Sequence, residues 1–349
     1  MYLHLSNISI GVLTTLILLP SALAFFNSSL GISFGTSYLT SAYITEDGGF
    51  VAVANVETTQ AWKDLSHHLL RRAGGRETRR YKELEIREII FAAVSSILKT
   101  SEAKLDQELK VLGIADLNFL SEYGYTRDLL DFAGQILPSL DGNIVPTSYF
   151  HNIRKGYQLN TAESLGYPPG TDIDKEDNLL LHIDYQNGLL EVVSSDVRKD
   201  TTNIQSYLRM FDYGGPSQIA SPKDLEELRT RIKKLVARDL ALSHSTYFPP
   251  YKLSDYRRIV FSGDASASEF RKIREAITEA IPEFADLFFE TGDLEPRWAG
   301  AVGAARLAKE FQLFPERWRV NRSFMWTLAA GLGDEHAEPL PQSREVNTT

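Results

Sequence analysis

The chain has 349 residues, of which 37 are basic and 46 are acidic, so its formal charge is −9, and it contains no cysteine. Apolar side chains make up 43% and charged side chains 24% of the chain. These values exclude global disorder, and the length fits two domains or one large bilobed domain. The acidic balance excludes a general nucleic-acid binder, and the lack of cysteine excludes disulfides, thiolate metal sites and cysteine nucleophiles.

An apolar run near the N-terminus predicts a signal peptide. The segment from Ile10 to Ala24 reads IGVLTTLILLPSALA and ends on the small residues Ala22 and Ala24, which is typical of a hydrophobic region followed by a cleavage site. We expect cleavage before Phe25, entry into the secretory pathway and secretion, with retention in the endoplasmic reticulum left open. The alternative is an uncleaved anchor, but the run is at the short limit for a span and contains Pro20. We therefore expect no membrane span after cleavage.

Three Asn-x-Ser/Thr triplets follow the predicted signal peptide, at Asn27, Asn321 and Asn347. In a protein of the secretory pathway, such a triplet is an acceptor for N-linked glycans on surface loops. The sequence therefore predicts three glycosylation sites.

The first predicted elements, in chain order, are a hairpin, two helices and a second hairpin. Two β-rich runs, Ser37–Ile44 and Phe50–Ala54, flank a glycine-containing turn. Apolar residues at helical spacing predict helices over Tyr81–Lys99 and Thr126–Leu137. The segment Asn178–Val193 predicts a strand, a turn at Gln186-Asn187-Gly188 and a second strand.

The later elements alternate helix and strand. Ser221 is a good N-cap, and a proline follows it at the first helical position, so we expect a helix to about Leu242. A buried strand over Tyr256–Ser262, a helix over Ser268–Ile281 and a small-residue helix over Pro296–Phe311 follow, and a disordered tail is expected from Gly331. Hairpins that alternate with helices predict a mixed α/β protein.

Two polar motifs have simple interpretations. His67 and His68 are adjacent on a helix, so they point to different sides, and a solvated face is favoured over a shared metal site. The acidic run from Asp172 to Asp177 lacks the glycine and the glutamate that an EF-hand loop requires, so it predicts an acidic loop.

The segment GISFGTSYLTSAYI, from Gly31 to Ile44, resembles the first phosphate loop of actin-like ATPases, specifically of the seventy-kilodalton heat-shock chaperones of the DnaK type. A glycine turn between two strands lets backbone N–H groups approach phosphate oxygens. The resemblance implies that Gly35, Thr36, Ser37 and Tyr38 contact a nucleotide. The family's aspartate, which helps to organise the magnesium shell, is Ser33 here.

Further segments resemble the family in the same order along the chain. Tyr157–Gly166 resembles the segment before the second phosphate strand, and Leu179–Val193 resembles the second phosphate hairpin. Arg258–Arg274 resembles the adenosine loop, and Glu295–Ala305 resembles the closing helix. Asp184 and Gly188 match the second phosphate hairpin, and Gly263 matches the first glycine of the adenosine loop. The resemblance therefore implies ATP or ADP at these residues, with Mg²⁺ held by Asp184 through water. A strand-end cap at Asp184 and a strand-to-helix turn at Gly263 are the alternatives.

Several family residues are replaced. Gln186, Asn187 and Asp264 stand where the family has glycines, and Glu191 stands for its second aspartate. Arg71 lies at the place of the family's catalytic lysine, and arginine is not interchangeable with it. We therefore expect weak hydrolysis at best, because phosphoryl transfer needs a positioned metal and a positioned water.

The resemblance implies an α/β fold of the bilobed, actin-like ATPase type, which is ribonuclease H-like, over residues 25–330. The first lobe is expected at about 25–178 and the second at about 179–330. The stretch Ser194–Ala220 is too short for the family's nucleotide-clamping subdomain, which is expected to be shortened or missing. No peptide-binding domain is expected within the chain.

Two hypotheses for function follow. The first is a chaperone-like protein of the secretory pathway that binds ATP or ADP with weak or no hydrolysis. The second is a pseudo-ATPase, in which the same fold is a scaffold for an unknown protein partner and binds no nucleotide. A sugar kinase on this fold is a distant third, because no catalytic aspartate lies beside a recognisable sugar pocket.

Overall fold

The computed structural model describes residues 29–73, 81–105, 109–115, 117, 120–121, 123–140, 143–213, 219–241, 250–290 and 292–316. The predicted signal peptide, the asparagines of the three Asn-x-Ser/Thr triplets and the predicted tail lie outside these residues. Within the described ranges, no helix is both long and apolar enough to cross a membrane.

The first sheet contains five strands in the order β3-β2-β1-β4-β5. Their bounds are β1 Ser29–Phe34, β2 Tyr38–Ile44, β3 Phe50–Glu57, β4 Val111–Ala115 and β5 Ile144–Thr147. The strands β1, β2 and β3 are antiparallel neighbours, whereas β4 is parallel to β1 and β5 is parallel to β4.

The second sheet contains four strands in the order β8-β7-β6-β9. Their bounds are β6 Leu179–Gln186, β7 Gly188–Val197, β8 Thr202–Tyr213 and β9 Tyr256–Gly263. Here too the first three strands form an antiparallel meander, and the fourth lies parallel to the first on its free side. The strand order and directions of the second sheet therefore repeat those of β1 to β4 in the first.

The described residues form seven α-helices: α1 Gln60–Ala73, α2 Glu83–Leu105, α3 Thr126–Ile136, α4 Tyr149–Gly156, α5 Pro222–Ala241, α6 Ala267–Ala280 and α7 Ala299–Leu313. The predicted helices and both predicted hairpins are confirmed, with ends that differ by a few residues. At the start of α5, Ser221 and Asp224 cap each other, since each side chain accepts the other's backbone N–H. The mixed α/β class is confirmed in the form of two mixed sheets covered by helices.

Helix α7 packs on the first sheet at backbone distance, although it lies in the range predicted for the second lobe. A Cβ added at Gly31 or Gly113 would come within 2.1 Å of a carbonyl oxygen of α7, and one added at Gly303 within 1.7 Å of the Asn152 carbonyl oxygen. These glycines are therefore required for close approach. The small residues of α7 make this close packing possible.

Both faces of the second sheet are covered. Leu181, Ile183 and Tyr185 belong to a core with α5 and α6, whereas Leu180 and Val193 belong to the core of the first sheet. Every residue of β6 is buried, which is the pattern of a strand covered on both sides. This packing brings the ends of β1 and β6 together.

Candidate functional site

Two hairpin turns that occupy equivalent positions in the two sheets meet each other. The β1–β2 turn contains Gly35, Thr36 and Ser37, and the β6–β7 turn is centred on Asn187. The Thr36 backbone N–H donates to Oε1 of Gln186 at 3.3 Å, and the Asn187 N–H donates to Oγ1 of Thr36 at 3.1 Å. The two turns are therefore joined by direct hydrogen bonds.

The β1–β2 turn is tight and buried. The Gly35 N–H donates to the Tyr38 carbonyl at 2.9 Å, and a Cβ at Gly35 would lie 2.6 Å from that oxygen. Thr36 is 1% exposed and Ser37 is 7% exposed, and Tyr38 is half-buried. The structure thus brings the four residues predicted in this turn together, at the interface of the two sheets.

The carbonyl groups of the turn are also satisfied from within the chain. Nε1 of Trp62 on α1 donates to the Gly35 carbonyl at 2.9 Å. Thr58 donates to the Thr36 carbonyl through its hydroxyl and to the Ser37 carbonyl through its backbone N–H, both at 2.9 Å. The turn is thereby held in one conformation by the chain itself.

Asp184 lies on β6 beneath these turns and is 1% exposed. Its Oδ1 accepts hydrogen bonds from Oγ of Ser262 at 2.6 Å, from the Tyr149 hydroxyl at 2.9 Å and from Nε2 of Gln186 at 3.1 Å. Gln186 therefore bridges two predicted site residues, because its amide nitrogen binds Asp184 while its amide oxygen binds Thr36.

Burial raises the pKa of Asp184 to about 7, and the charge of the neighbouring Glu191 contributes to the increase. The hydrogen bonds from Ser262, Tyr149 and Gln186 act in the opposite direction, because they stabilise the carboxylate. Glu191 lies directly opposite Asp184 on β7 and forms an ion pair with Arg209 at 2.6 Å. The second predicted acidic group is therefore engaged with an arginine of β8.

His182 extends the buried network. Its Nε2 is 2.8 Å from Oγ of Ser262, and burial lowers the pKa of His182 to about 3, so the ring is neutral. Because the Ser262 hydroxyl donates to Asp184, Nε2 of His182 carries the hydrogen and donates to Ser262. Ser262 lies between His182 and Asp184, so the carboxylate does not orient the imidazole as it does in a hydrolytic triad. Ser262 is also fully buried, so a substrate cannot reach it. We therefore interpret the cluster as structural.

The remaining predicted glycines lie at the edges of the site. Gly188, with φ +72°, ends the β6–β7 turn, and Gly263, with φ +104°, ends β9. A Cβ at Gly263 would lie 2.2 Å from the Tyr185 carbonyl, which accepts the Asp264 N–H at 3.1 Å. The strand-to-helix turn alone therefore accounts for glycine at 263.

Helix α1 supplies contacts that the sequence analysis missed. His67 is 3.2 Å from the Asn187 carbonyl oxygen through Nε2, and Arg71 pairs with Asp212 of β8 at 3.3 Å. His68 is only 5% exposed. The prediction of a solvated face at His67 and His68 is wrong, because the helix lies across both hairpin turns. The apolar spacing of Trp62, Leu65 and Leu69 is the signal that could have revealed its buried side.

The residues at this site do not fit a magnesium nucleotide. Asp184, to which the resemblance assigns the magnesium, is buried, and its Oδ1 already accepts three hydrogen bonds. Ser33, which stands where the resemblance implies an aspartate, lies against α7, where a Cβ at Gly300 would be 2.4 Å from its hydroxyl. The Gln186 carboxamide also uses the Thr36 N–H that a phosphate oxygen would need.

No protein-family model matches this chain, and no curated protein matches it significantly.

Proposed function

We propose that the chain has an actin-like fold in which the nucleotide cleft is closed by its own side chains, and that it acts as a pseudo-ATPase scaffold for a protein partner. The fold proposal is supported by the repeated strand order of the two sheets and by the facing hairpin turns. The sequence resemblance of these turns to two phosphate loops gives independent support. We further propose that the scaffold enters the secretory pathway, on the pattern of the Ile10–Ala24 segment.

One observation carries the proposal: Gln186 occupies the position between the two turns. Its amide oxygen accepts the Thr36 N–H and its amide nitrogen donates to Asp184. A phosphate group bound there would have to displace this side chain and would then face the carboxyl group of Asp184. Displacement would break the three hydrogen bonds of the Gln186 side chain, and the ionised form of Asp184 would repel the phosphate, so both effects oppose binding.

The alternative function is weak binding of ATP or ADP, and a calorimetric titration distinguishes it from the scaffold. Calorimetric titration of the purified protein with ADP and ATP, with and without Mg²⁺, is expected to show no heat and no thermal stabilisation at millimolar nucleotide. Magnesium-dependent binding at micromolar concentration would contradict the scaffold proposal.

Two variants at position 186 make the test sharper. Gln186→Gly restores the family's glycine and removes the carboxamide, whereas Gln186→Leu removes the hydrogen bonds but keeps most of the volume. We expect the glycine variant to gain measurable ADP affinity and the leucine variant to gain none. Equal behaviour of the two folded variants would mean that the side chain does not block the cleft.

A further inference from the structure

A cavity of about 390 Å³ lies at the edge of the second sheet that β9 forms. Its lining includes Leu253, Tyr256, Leu287, Arg257, Arg258 and Glu283. The volume falls within the range of roughly 300–1,000 Å³ that is usual for ligand sites. The cavity shares no residue with the site described above, although β9 contributes Arg257 and Arg258 to the cavity and Ser262 to the site.

A β-bulge gives the cavity two arginines. Leu179 pairs with Tyr256 and Leu180 pairs with Arg258, so Arg257 is the extra residue on β9. In a regular strand, consecutive side chains point to opposite faces, whereas a bulge redirects one of them. This explains how two consecutive arginines line a single cavity.

Backbone carbonyls and aromatic rings hold both guanidinium groups in place. Nε of Arg257 donates to the Leu165 carbonyl at 3.1 Å, and the group stacks 3.9 Å from the centre of the Tyr167 ring. Nε of Arg258 donates to the Ser164 carbonyl at 2.8 Å, and a Cβ at Gly166 would lie 3.0 Å from its Nη2. The glycine at 166 therefore leaves the space that Arg258 occupies.

No carboxylate of the described residues forms a salt bridge with either guanidinium group. Salt bridges are numerous in the described part of the chain, but none of them involves Arg257 or Arg258. Within the described residues, five hydrogen bonds to carbonyl groups occupy half of the N–H groups of the two guanidiniums. Burial, and then the charge of Arg257, lowers the pKa of Arg258, so a bound anion would relieve an unfavourable electrostatic arrangement.

We propose that this cavity binds an acidic segment of a protein partner, with a carboxylate on Arg257 and Arg258 and a neighbouring apolar side chain against Leu253 and Leu287. The fixed guanidinium groups suit carboxylate oxygens, which they bind through paired N–H donors. The apolar part of the lining favours a polypeptide over a free inorganic anion. This inference names the partner chemistry of the proposed scaffold and rests on that proposal.

The test uses fluorescence anisotropy with the full chain and a labelled peptide of alternating glutamate and leucine. A peptide of alternating glutamine and leucine is the control ligand. We expect the acidic peptide to bind and the neutral peptide to bind at least tenfold more weakly. Equal binding of the two peptides would overturn the proposal, and so would a lack of binding by the acidic peptide, whether or not inorganic phosphate binds.

Single substitutions test whether the acidic peptide binds at the two arginines. Arg258→Gln and Arg257→Gln are each expected to weaken binding of the acidic peptide about tenfold, the scale of one charged hydrogen-bonding partner. Arg274→Gln is the matched control, because Arg274 also stacks on an aromatic ring, Phe288, but is paired with Glu290. Unchanged binding by the folded Arg257 and Arg258 variants, or equal loss in the Arg274 variant, would overturn the assignment.

A third substitution covers the case in which an arginine variant does not fold. Glu283→Gln removes the carboxylate at the cavity and is expected to tighten binding of the acidic peptide two- to fivefold, because it removes a like charge. Unchanged or weaker binding would contradict the proposal. Nucleotide binding by the wild type would overturn the scaffold proposal alone, since the peptide assay reports on a separate surface.

Discussion

At the scale of single residues, Asp184 is the group with the most unusual environment in the site. It is an acid on a fully buried strand, and one of its oxygens accepts three hydrogen bonds. Because burial raises its pKa from 3.8 to about 7, the folded protein keeps a proton that the unfolded chain releases. Stability from this group is therefore present below about pH 4 and is lost as the pH rises through 7.

Asp184→Asn removes this dependence. We expect the difference in unfolding free energy between variant and wild type to change by about 4 kcal/mol between pH 4 and pH 8, with the wild type losing stability as the pH rises. Urea denaturation at several pH values measures it. Parallel stability curves for the two proteins would contradict the assigned environment of Asp184.

The stability that His182 contributes depends on pH in the opposite direction. Its pKa is lowered to about 3 by burial, so its contribution to stability is present above about pH 6.5 and is lost as the pH falls toward 3. Long-range ¹H–¹⁵N NMR spectra are expected to show a neutral ring protonated at Nε2 throughout pH 5–8. A titration with a midpoint near 6.5 would contradict burial of the ring.

At the scale of elements, the packing of α7 depends on the absence of side chains. Gly303 lies where a Cβ would be 1.7 Å from a carbonyl oxygen of α4, and the ion pair between Lys155 and Glu310 joins the same two helices at 2.8 Å. The helix cannot move away without losing its contacts to the first sheet.

Gly303→Ala is therefore expected to destabilise the protein by about 3 kcal/mol or more, as overpacking of a tight interface does. Gly134→Ala is the matched control, because Gly134 is also helical and its Cβ would meet only Ile144, at an ordinary 3.9 Å. The free energy of unfolding of this control is expected to rise by about 0.5–1 kcal/mol, because alanine has a higher helix propensity than glycine. Urea denaturation that gave equal effects for the two variants would refute the close approach of α7.

Local signals made many elements predictable from the sequence. The turn at Gln186-Asn187-Gly188, the cap at Ser221 and the small residues of α7 each indicate structure within a few residues of chain. The strands β4 and β5 were not predicted, because they are short and depend on pairing with distant partners. Tyr149 and Ser262 were also missed, since nothing near them in sequence indicates that both donate to Asp184.

At the scale of the whole molecule, the four strands of the second sheet repeat the order of β1 to β4 in the first, and the two sheets meet through their first hairpin turns. The sequence indicated both turns, but it could not show that Gln186 joins them, because the contact with Thr36 spans 150 residues. The resemblance did predict a larger side chain at a position where the family has a glycine. The hydrogen bonds by which this side chain joins the two turns depend on the relative position of the sheets.

Amide hydrogen exchange at Thr36 tests this closure most directly. In the wild type, the Thr36 amide is expected to be as protected as that of Gly35, which donates within its own turn. In Gln186→Leu, we expect Thr36 to exchange at least tenfold faster while Gly35 is unchanged, because only Thr36 loses its acceptor. Rapid exchange of Thr36 in the wild type, or no difference between the two proteins, would contradict a cleft closed by Gln186.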